Sequence, residues 1–441
     1  MAIRSNGARQ GSRRAVRTTA MVGAVCLGLL TAACGSGSGS GSSSGGGTLT
    51  AYVYGDGAVK VQEAAVAEFN KTSKVKVKLV EIPGDSYQNK LNAVMSSPNA
   101  PDLLYNWGGG SIKPFVDAGE LLDLTPYLTQ DSSFKSSFLP SVLAAGAIDG
   151  KNYGIPMRGM QPVVLFYNKT LFTQNGLQAP TTWAALQTAI TTLKAKNITP
   201  VALGGADAWT EQMWLEELLD RIAGPSVFQK IAGGDSSAWG DPAVLKAAQT
   251  AKQLIDDGAF GKTFTATSYT NNAAPTLLGT GKAAMQLMGT WDYSNQLANH
   301  KEFATKDEGW VNFPTVDGGT GDAADVVGNP TNYWSVNAHT KNKDAAVAFL
   351  KAMATADYAN KLVANGDVPA TTSAKDLLSS SPNPAFAQFQ YDMVQKAPSF
   401  QLSWDQALPA KQATQMTTEI GKLFAGQVSP EQFVTDMKAL K

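Results

Sequence analysis

The sequence predicts an α/β protein of two lobes with a ligand crevice at the carboxyl ends of its strands. Three observations lead there. A chain of 441 residues exceeds what one hydrophobic core usually serves, since single cores stop growing at roughly 250–300 residues. Its body opens as a β-α-β unit: Thr48–Tyr54 reads as a strand, Ala58–Phe69 as a helix with Val59, Ala65, Val66 and Phe69 on one side, and Val75–Ile82 as a strand of period two. Strands and helices then alternate to the C-terminus, the pattern of α/β lobes that bind ligand where strands end.

The later strands are expected at Pro101–Tyr105, Val163–Tyr167, Pro200–Leu203, Ala284–Met288, Trp310–Phe313 and Tyr333–Val336. Between them Thr182–Lys194 places Trp183, Leu186, Ile190 and Leu193 on one stripe. Asp241-Pro242 and Gly258 frame another helix with an N-cap, a first-turn proline and a terminating glycine. Helices around Leu408–Phe424 and Pro430–Leu440 close the chain, and no internal repeat is found.

Composition narrows the class. Hydrophobic residues at 43% and charged residues at 16% exclude a disordered chain or a polytopic membrane protein. The five arginines at 4, 9, 13, 14 and 17 precede any acid, leaving 31 bases against 36 acids and a net −5 on the rest of the chain. A mildly acidic body is not a nucleic-acid binder, which needs a basic face.

The arginines lead into a short run of small and apolar residues, Thr18–Ala33, with the layout of an export signal expected to be removed. Leu30-Thr31-Ala32-Ala33-Cys34 resembles a bacterial lipobox, with its leucine four residues before the cysteine instead of three. Residues 1–33 are thus read as a lipoprotein signal peptide and 34–47 as a lipidated Cys34 on a Gly/Ser tether, with a diacylglyceryl group as anchor. Ser12-Arg13-Arg14-Ala15-Val16 also resembles a twin-arginine signal, so the export route stays open. Cys26 and Cys34 are the two cysteines of the chain, which leaves the body without a disulfide, a thiol nucleophile or a cysteine metal site.

Catalytic templates mostly fail. His300 and His339 are too few and too far apart for a zinc motif and read as solvated surface. Gly41-Ser42-Ser43-Ser44-Gly45 matches a hydrolase elbow in letters alone, inside the tether, and Gly261-Lys262-Thr263 lacks the first glycine of a phosphate loop. No catalytic residue, metal or cofactor is assigned. A carboxylate pair cutting a glycosidic bond stays open among 36 acids, so a surface-anchored glycoside hydrolase or lyase is the rival reading. An adhesin-like scaffold is the third.

Aromatic residues carry the positive signal. Of nine tryptophans, Trp183 and Trp214 lie on apolar helix faces and read as core. Five others stand beside an amide or carboxylate and near small residues: Tyr105-Asn106-Trp107-Gly108, Asp207-Ala208-Trp209, Gly289-Thr290-Trp291-Asp292, Asn332-Tyr333-Trp334 and Ser403-Trp404-Asp405. Sugars offer C–H faces to rings and an equator of hydroxyls to planar polar groups, so five such combinations favour a carbohydrate cleft. Arg158, in a Gly/Pro-punctuated stretch, suits either a ligand contact or a structural hydrogen bond, whereas Arg221 ends a helix and needs no further role.

These segments resemble the extracellular solute-binding proteins of bacterial sugar ABC transporters, the group of the maltose-binding protein, and especially actinobacterial oligosaccharide-binding lipoproteins. The matching stretches are Tyr153-Gly154-Ile155-Pro156 with Leu165–Lys169, Gly176-Leu177 to Trp183, Gly281–Met285 through Trp291, Asn337–Leu350 and Gly366-Asp367-Val368-Pro369-Ala370. The resemblance implies a two-lobed periplasmic-binding-protein-like fold with three hinge crossovers, near 157, 317 and 368. Lobe 1 is then 48–156 with 318–367, and lobe 2 is 157–317 with 368–441. It also implies a cleft lined by Tyr54, Asp56, Asn106, Trp107, Gln161, Trp209, Trp291 and Trp404, to which local chemistry adds Arg158, Asp292, Asn332 and Trp334. The glycines at 108–110 replace charged residues of the maltose-binding protein, so its ligand does not transfer. The implied protein is a monomeric, lipid-anchored receptor on the outer face of the cytoplasmic membrane. It binds a short oligosaccharide, xylobiose or another xylo-oligosaccharide by overall similarity, closes on it by hinge motion, and delivers it to permease subunits.

Overall fold

A computed structural model describes residues 47–440. The expected export signal, Cys34 and the tether lie outside that range. Among the described residues no helix is long and apolar enough to cross a membrane.

Among the described residues thirteen strands form two main sheets and one hairpin. In chain order they are β1 Thr48–Gly55, β2 Lys76–Pro83, β3 Leu103–Asn106, β4 Ala147–Ile148, β5 Lys151–Asn152, β6 Ile155–Pro156, β7 Gln161–Asn168, β8 Thr199–Val201, β9 Ala283–Gly289, β10 Glu308–Val311, β11 Val326–Asn329, β12 Tyr333–Val336 and β13 Phe400–Leu402. The first sheet runs β2-β1-β3-β12-β6; the second runs β13-β11-β7-β9-β8 with β10 on β7. β1 is parallel to both β2 and β3, so Tyr54 and Asn106 come to the same edge. Each sheet has its own core. One gathers Leu49, Val53, Leu103, Ile112, Trp334 and Phe349; the other gathers Val163, Phe166, Leu186, Trp214, Leu287, Trp404 and Ile420.

Local signals place the helices. Thr182 caps Trp183–Ala195 by accepting from the Ala185 N–H, and Asp241 caps Pro242–Asp256 by accepting from Ala243, with Pro at the first position. Gly258 follows the latter at φ +73°, a conformation that costs other residues strain. His339 is exposed beside Glu120 at 3.5 Å, while His300 is half-buried.

The chain passes between the sheets three times, and the passages lie side by side. Residues 157–160 join β6 to β7, residues 330–332 join β11 to β12, and residues 366–370 leave the helix Ala356–Asn365. Met157 N–H donates to the Asn332 carbonyl at 2.8 Å, Thr331 Oγ1 to that of Arg158 at 2.8 Å, and Met160 N–H to that of Val368 at 2.8 Å. The second passage corrects the expectation of a crossing near 317. Residues 318–329 stay with the second sheet: β11 pairs with β7 and β13, and Thr320 N–H donates to the Ile222 carbonyl at 3.0 Å. Sequence pattern missed this because the buried strand β11 carries only four residues and ends on Gly-Asn.

Arg221 is a second correction. Its side chain is 1% exposed, bound to Glu217 at 3.2 Å and Asp220 at 2.7 Å, and donates to the Asp325 carbonyl. It neutralises a buried acidic helix instead of merely favouring a dipole. That helix, Ala208–Ala223, also buries Glu211 and Glu216. Burial pushes the Glu211 carboxyl up to about 9. Burial, followed by repulsion from Asp405, raises Glu216 to about 8 against the opposing bonds from Trp404 N–H and Gln212. A raised acid pKa means the folded state holds the proton longer than the unfolded one. Its stabilising contribution is therefore complete below the unfolded value of about 4.5 and is lost as pH rises through about 8. The melting temperature is expected to fall over that window, and Glu216→Gln, which keeps the acceptor oxygen, should recover on the order of 5 °C at pH 8.5 and nothing at pH 4. Equal melting temperatures of variant and parent at pH 8.5 would refute the assignment.

Candidate functional site

The carboxyl ends of β1 and β3 build one rim. Tyr54 stacks on Tyr105 with ring centroids 5.5 Å apart and 27° between planes, and Trp107 meets Tyr54 edge-on at 5.5 Å. The Tyr54 ring lies over Gly84, where a Cβ would come within 2.5 Å of it. Tyr87 fills in behind, its hydroxyl donating to the Tyr105 carbonyl at 2.7 Å. At the end of β1, Asp56 accepts from Ala58 N–H at 2.9 Å through one oxygen and from Arg158 Nη1 at 2.5 Å through the other. Arg158 is 4% exposed; Nη2 donates to the Tyr54 carbonyl and to Gln62 Oε1, and the guanidinium stands 5.1 Å from the Tyr105 ring centroid. Burial alone would lower the Arg158 pKa, but Asp56 and then Tyr105 outweigh it, so the group is held charged more firmly than an ordinary arginine.

The second rim comes from the other sheet. β9 ends at Gly289, whose missing Cβ makes room for the Trp291 indole: a Cβ there would stand 1.8 Å from the ring. Trp209, in the first turn of Ala208–Ala223, has its ring 6.3 Å from Trp291 and meets Tyr269 edge-on at 5.1 Å. Asp207 folds the loop that presents Tyr269, accepting from Ser268 Oγ, Tyr269 N–H and Thr270 N–H at 2.7–3.1 Å. The Tyr269 hydroxyl donates to Asp292 at 2.9 Å. Burial, then Asp292, and also Asp56 push the Tyr269 phenol well above 10. Tyr269 is half-buried.

Of the expected site residues, Tyr54, Asp56, Trp107, Arg158, Trp209 and Trp291 stand on these rims. Gln161 and Asn332 meet at the crossings, Gln161 Nε2 donating to Asn332 Oδ1 at 3.0 Å, with Asn332 Nδ2 buried and unpaired among the described residues. Four expectations are corrected. Trp334 is fully buried at 0% exposure, packed edge-on to Phe349 at 6.0 Å, because β12 is covered on that face by the helix Lys343–Ala352. Trp404 is 1% exposed and stacks on Phe228 at 5.1 Å and 17° in the second core. Asn106 is 1% exposed and turns the chain, accepting from Gly108 N–H and donating to Ser335 Oγ, both at 2.9 Å. Asp292 is 0% exposed and acts through Tyr269, with Asn295 and Gln296 also donating to it; burial raises its pKa.

Tyr269 and Gln62 were missed. Tyr269 lies in Ser268-Tyr269-Thr270-Asn271-Asn272, an aromatic among turn-forming residues, and a search that included tyrosine would have found it. Gln62 sits on a helix face indistinguishable in sequence from core. A hollow of about 600 Å³ lined by Val75, Tyr127 and Thr340–Ala345 lies by the amino end of β2 and shares no residue with either rim. Among the described residues no group of three or more His, Cys, Asp or Glu could hold a metal ion.

Two sheets linked by three adjacent crossings, with ring-lined rims between them, define a two-lobed binding protein. The chain belongs to the bacterial extracellular solute-binding protein family, whose model matches residues 54–360. A solved structure from work on xylan utilization by Caldanaerobius polysaccharolyticus is 29% identical, with TM-score 0.82, covering 89% of this chain and 99% of that one. A chitin oligosaccharide binding protein is 26% identical at TM-score 0.79, covering 89% and 98%. The osmoprotective compounds-binding protein GgtB of Synechocystis sp. is 27% identical over 177 residues, 39% of this chain and 41% of that protein. The chain thus spans under half the length of this curated relative.

Proposed function

We propose that this protein is the lipid-anchored receptor of a sugar importer, binding a short oligosaccharide between Tyr54, Trp107 and Arg158 on one rim and Trp209, Tyr269 and Trp291 on the other. The carrying observation is the pairing of two aromatic rims, one of which carries a buried Arg158 held by the exposed Asp56. Rings take the apolar faces of a pyranose; the charged pair and the Gln161–Asn332 amides take its hydroxyls, so an epimer that leaves them unpaired is rejected. Xylo-oligosaccharides are the preferred ligand class, a choice supported by the likeness to the protein studied in xylan utilization. Anchoring through Cys34 holds the monomer at the outer face of the membrane, where it closes on sugar and hands it to permease subunits.

Tryptophan fluorescence titration of the purified protein with xylo-, cello-, malto- and manno-oligosaccharides tests this reading, with chromatography of each sugar after incubation. Saturable binding of intact xylo-oligosaccharide is the expected result. Shortened sugar would make the protein a glycoside hydrolase or lyase, and silence across the panel would remove the carbohydrate assignment.

A further inference from the structure

The glycine run after Trp107 makes a contact that neither core explains. A Cβ on Gly109 would stand 2.5 Å from the Leu402 side chain and 2.8 Å from the Gln406 carbonyl oxygen. One on Gly110 would stand 2.3 Å from the Leu408 carbonyl oxygen and 2.7 Å from that of Ala407. Leu402 belongs to β13, and Trp404 and Leu408 to the core of the second sheet, whereas Ile112 and Phe115, just after the glycines, belong to the core of the first. The two halves therefore meet here outside the three crossings, glycine against main chain.

The three glycines do not play the same part. Gly108 and Gly109 adopt φ of +76° and +52°, so their own turn favours glycine. Gly110 has no such backbone requirement, and what forbids a side chain at it is the facing Ala407–Leu408 backbone of the other half. That facing segment also carries Asp405, which accepts from Gln212 Nε2 at 2.8 Å, one turn beyond Trp209. The contact thus runs from the Trp107 rim to the Trp209 rim as one wall.

We propose that Gly110 sets the spacing at which the two halves meet, and with it the width of the cleft between the aromatic rims. A carbon–oxygen contact needs about 3.3 Å, so alanine at 110, with 2.3 Å available, holds the halves about 1 Å or more further apart. A backbone contact cannot yield by changing rotamer, so the wall acts as a stop. The consequence for sugar affinity rests on the oligosaccharide reading; the spacing itself does not.

The test is a spin-label distance measurement on the full chain carrying Cys26→Ser and Cys34→Ser, with labels at Lys135→Cys and Lys246→Cys, two exposed positions on the first and second halves. The parent is expected to populate the distance of this arrangement, and Gly110→Ala to shift it longer, with the sugar-free melting temperature unchanged. Affinity for the best sugar of the parent's titration should fall at least tenfold. A distance distribution that Gly110→Ala leaves unshifted overturns the proposal. So does a variant that fails to fold, since the contact would then be a permanent interface. A parent that binds none of the sugars but shows the glycine-dependent shift would overturn the oligosaccharide reading and uphold the spacing.

Discussion

Trp291→Ala is expected to weaken oligosaccharide binding by about 2 kcal/mol, roughly 30-fold, while the protein keeps its melting temperature. The magnitude is that of an aromatic anchor, for an indole that is half-buried, laid across Gly289 and flanked by Trp209 at 6.3 Å. Removing it deletes a stacking surface without opening a hole in the core. Trp404→Ala makes the contrast: its ring is 1% exposed between Phe228 and Trp239, so truncation should cost about 3–5 kcal/mol of stability. Titration calorimetry together with thermal unfolding separates the two. An unchanged affinity in Trp291→Ala would remove that ring from the site.

Arg221→Met is expected to destabilise the protein by about 3–5 kcal/mol at alkaline pH, because it leaves two buried acids without their cation where both would ionise. Glu217 and Asp220 are both within 3.2 Å of the guanidinium and almost without exposure. Burial already pushes Glu217 up to about 8 and Asp220 up to about 6, with Arg221 as the main opposing influence. Without it both acids hold their protons to higher pH. The loss should therefore shrink in acid, where the variant's carboxyls are neutral, and grow as pH rises. Urea unfolding at pH 5 and pH 8 measures this directly; a loss that is the same at both values would show that packing, not charge, sets the cost.

The sequence readings succeeded where the cause is local. The β-α-β opening, the capped helices at Thr182 and Asp241 and the strand into Trp291 are written in short-range periodicity, hydrogen-bonding caps and proline or glycine at defined positions. Trp107, Trp209 and Trp291 share a further local sign: each stands at the end of a strand or the start of a helix, where an α/β sheet presents its ligand edge. Trp404 also starts a helix, but a short one laid against Phe228 and Trp239. Trp334 lies within a strand, and its face is decided by what covers it.

The two-lobed α/β fold, the place of the ring-bearing turns and the family were thus legible from the order of residues, because periodicity and turn chemistry act within a few positions of the chain. The tertiary structure decided the rest: which tryptophans are half-exposed and which are core, the Arg158–Asp56 pair spanning 102 positions, the crossing at 330–332 and the seat of Gly110 on Leu408. Each of those depends on partners far apart in sequence. Burial and distance between such partners exist only once the sheets have packed, and no local pattern of one residue type carries them.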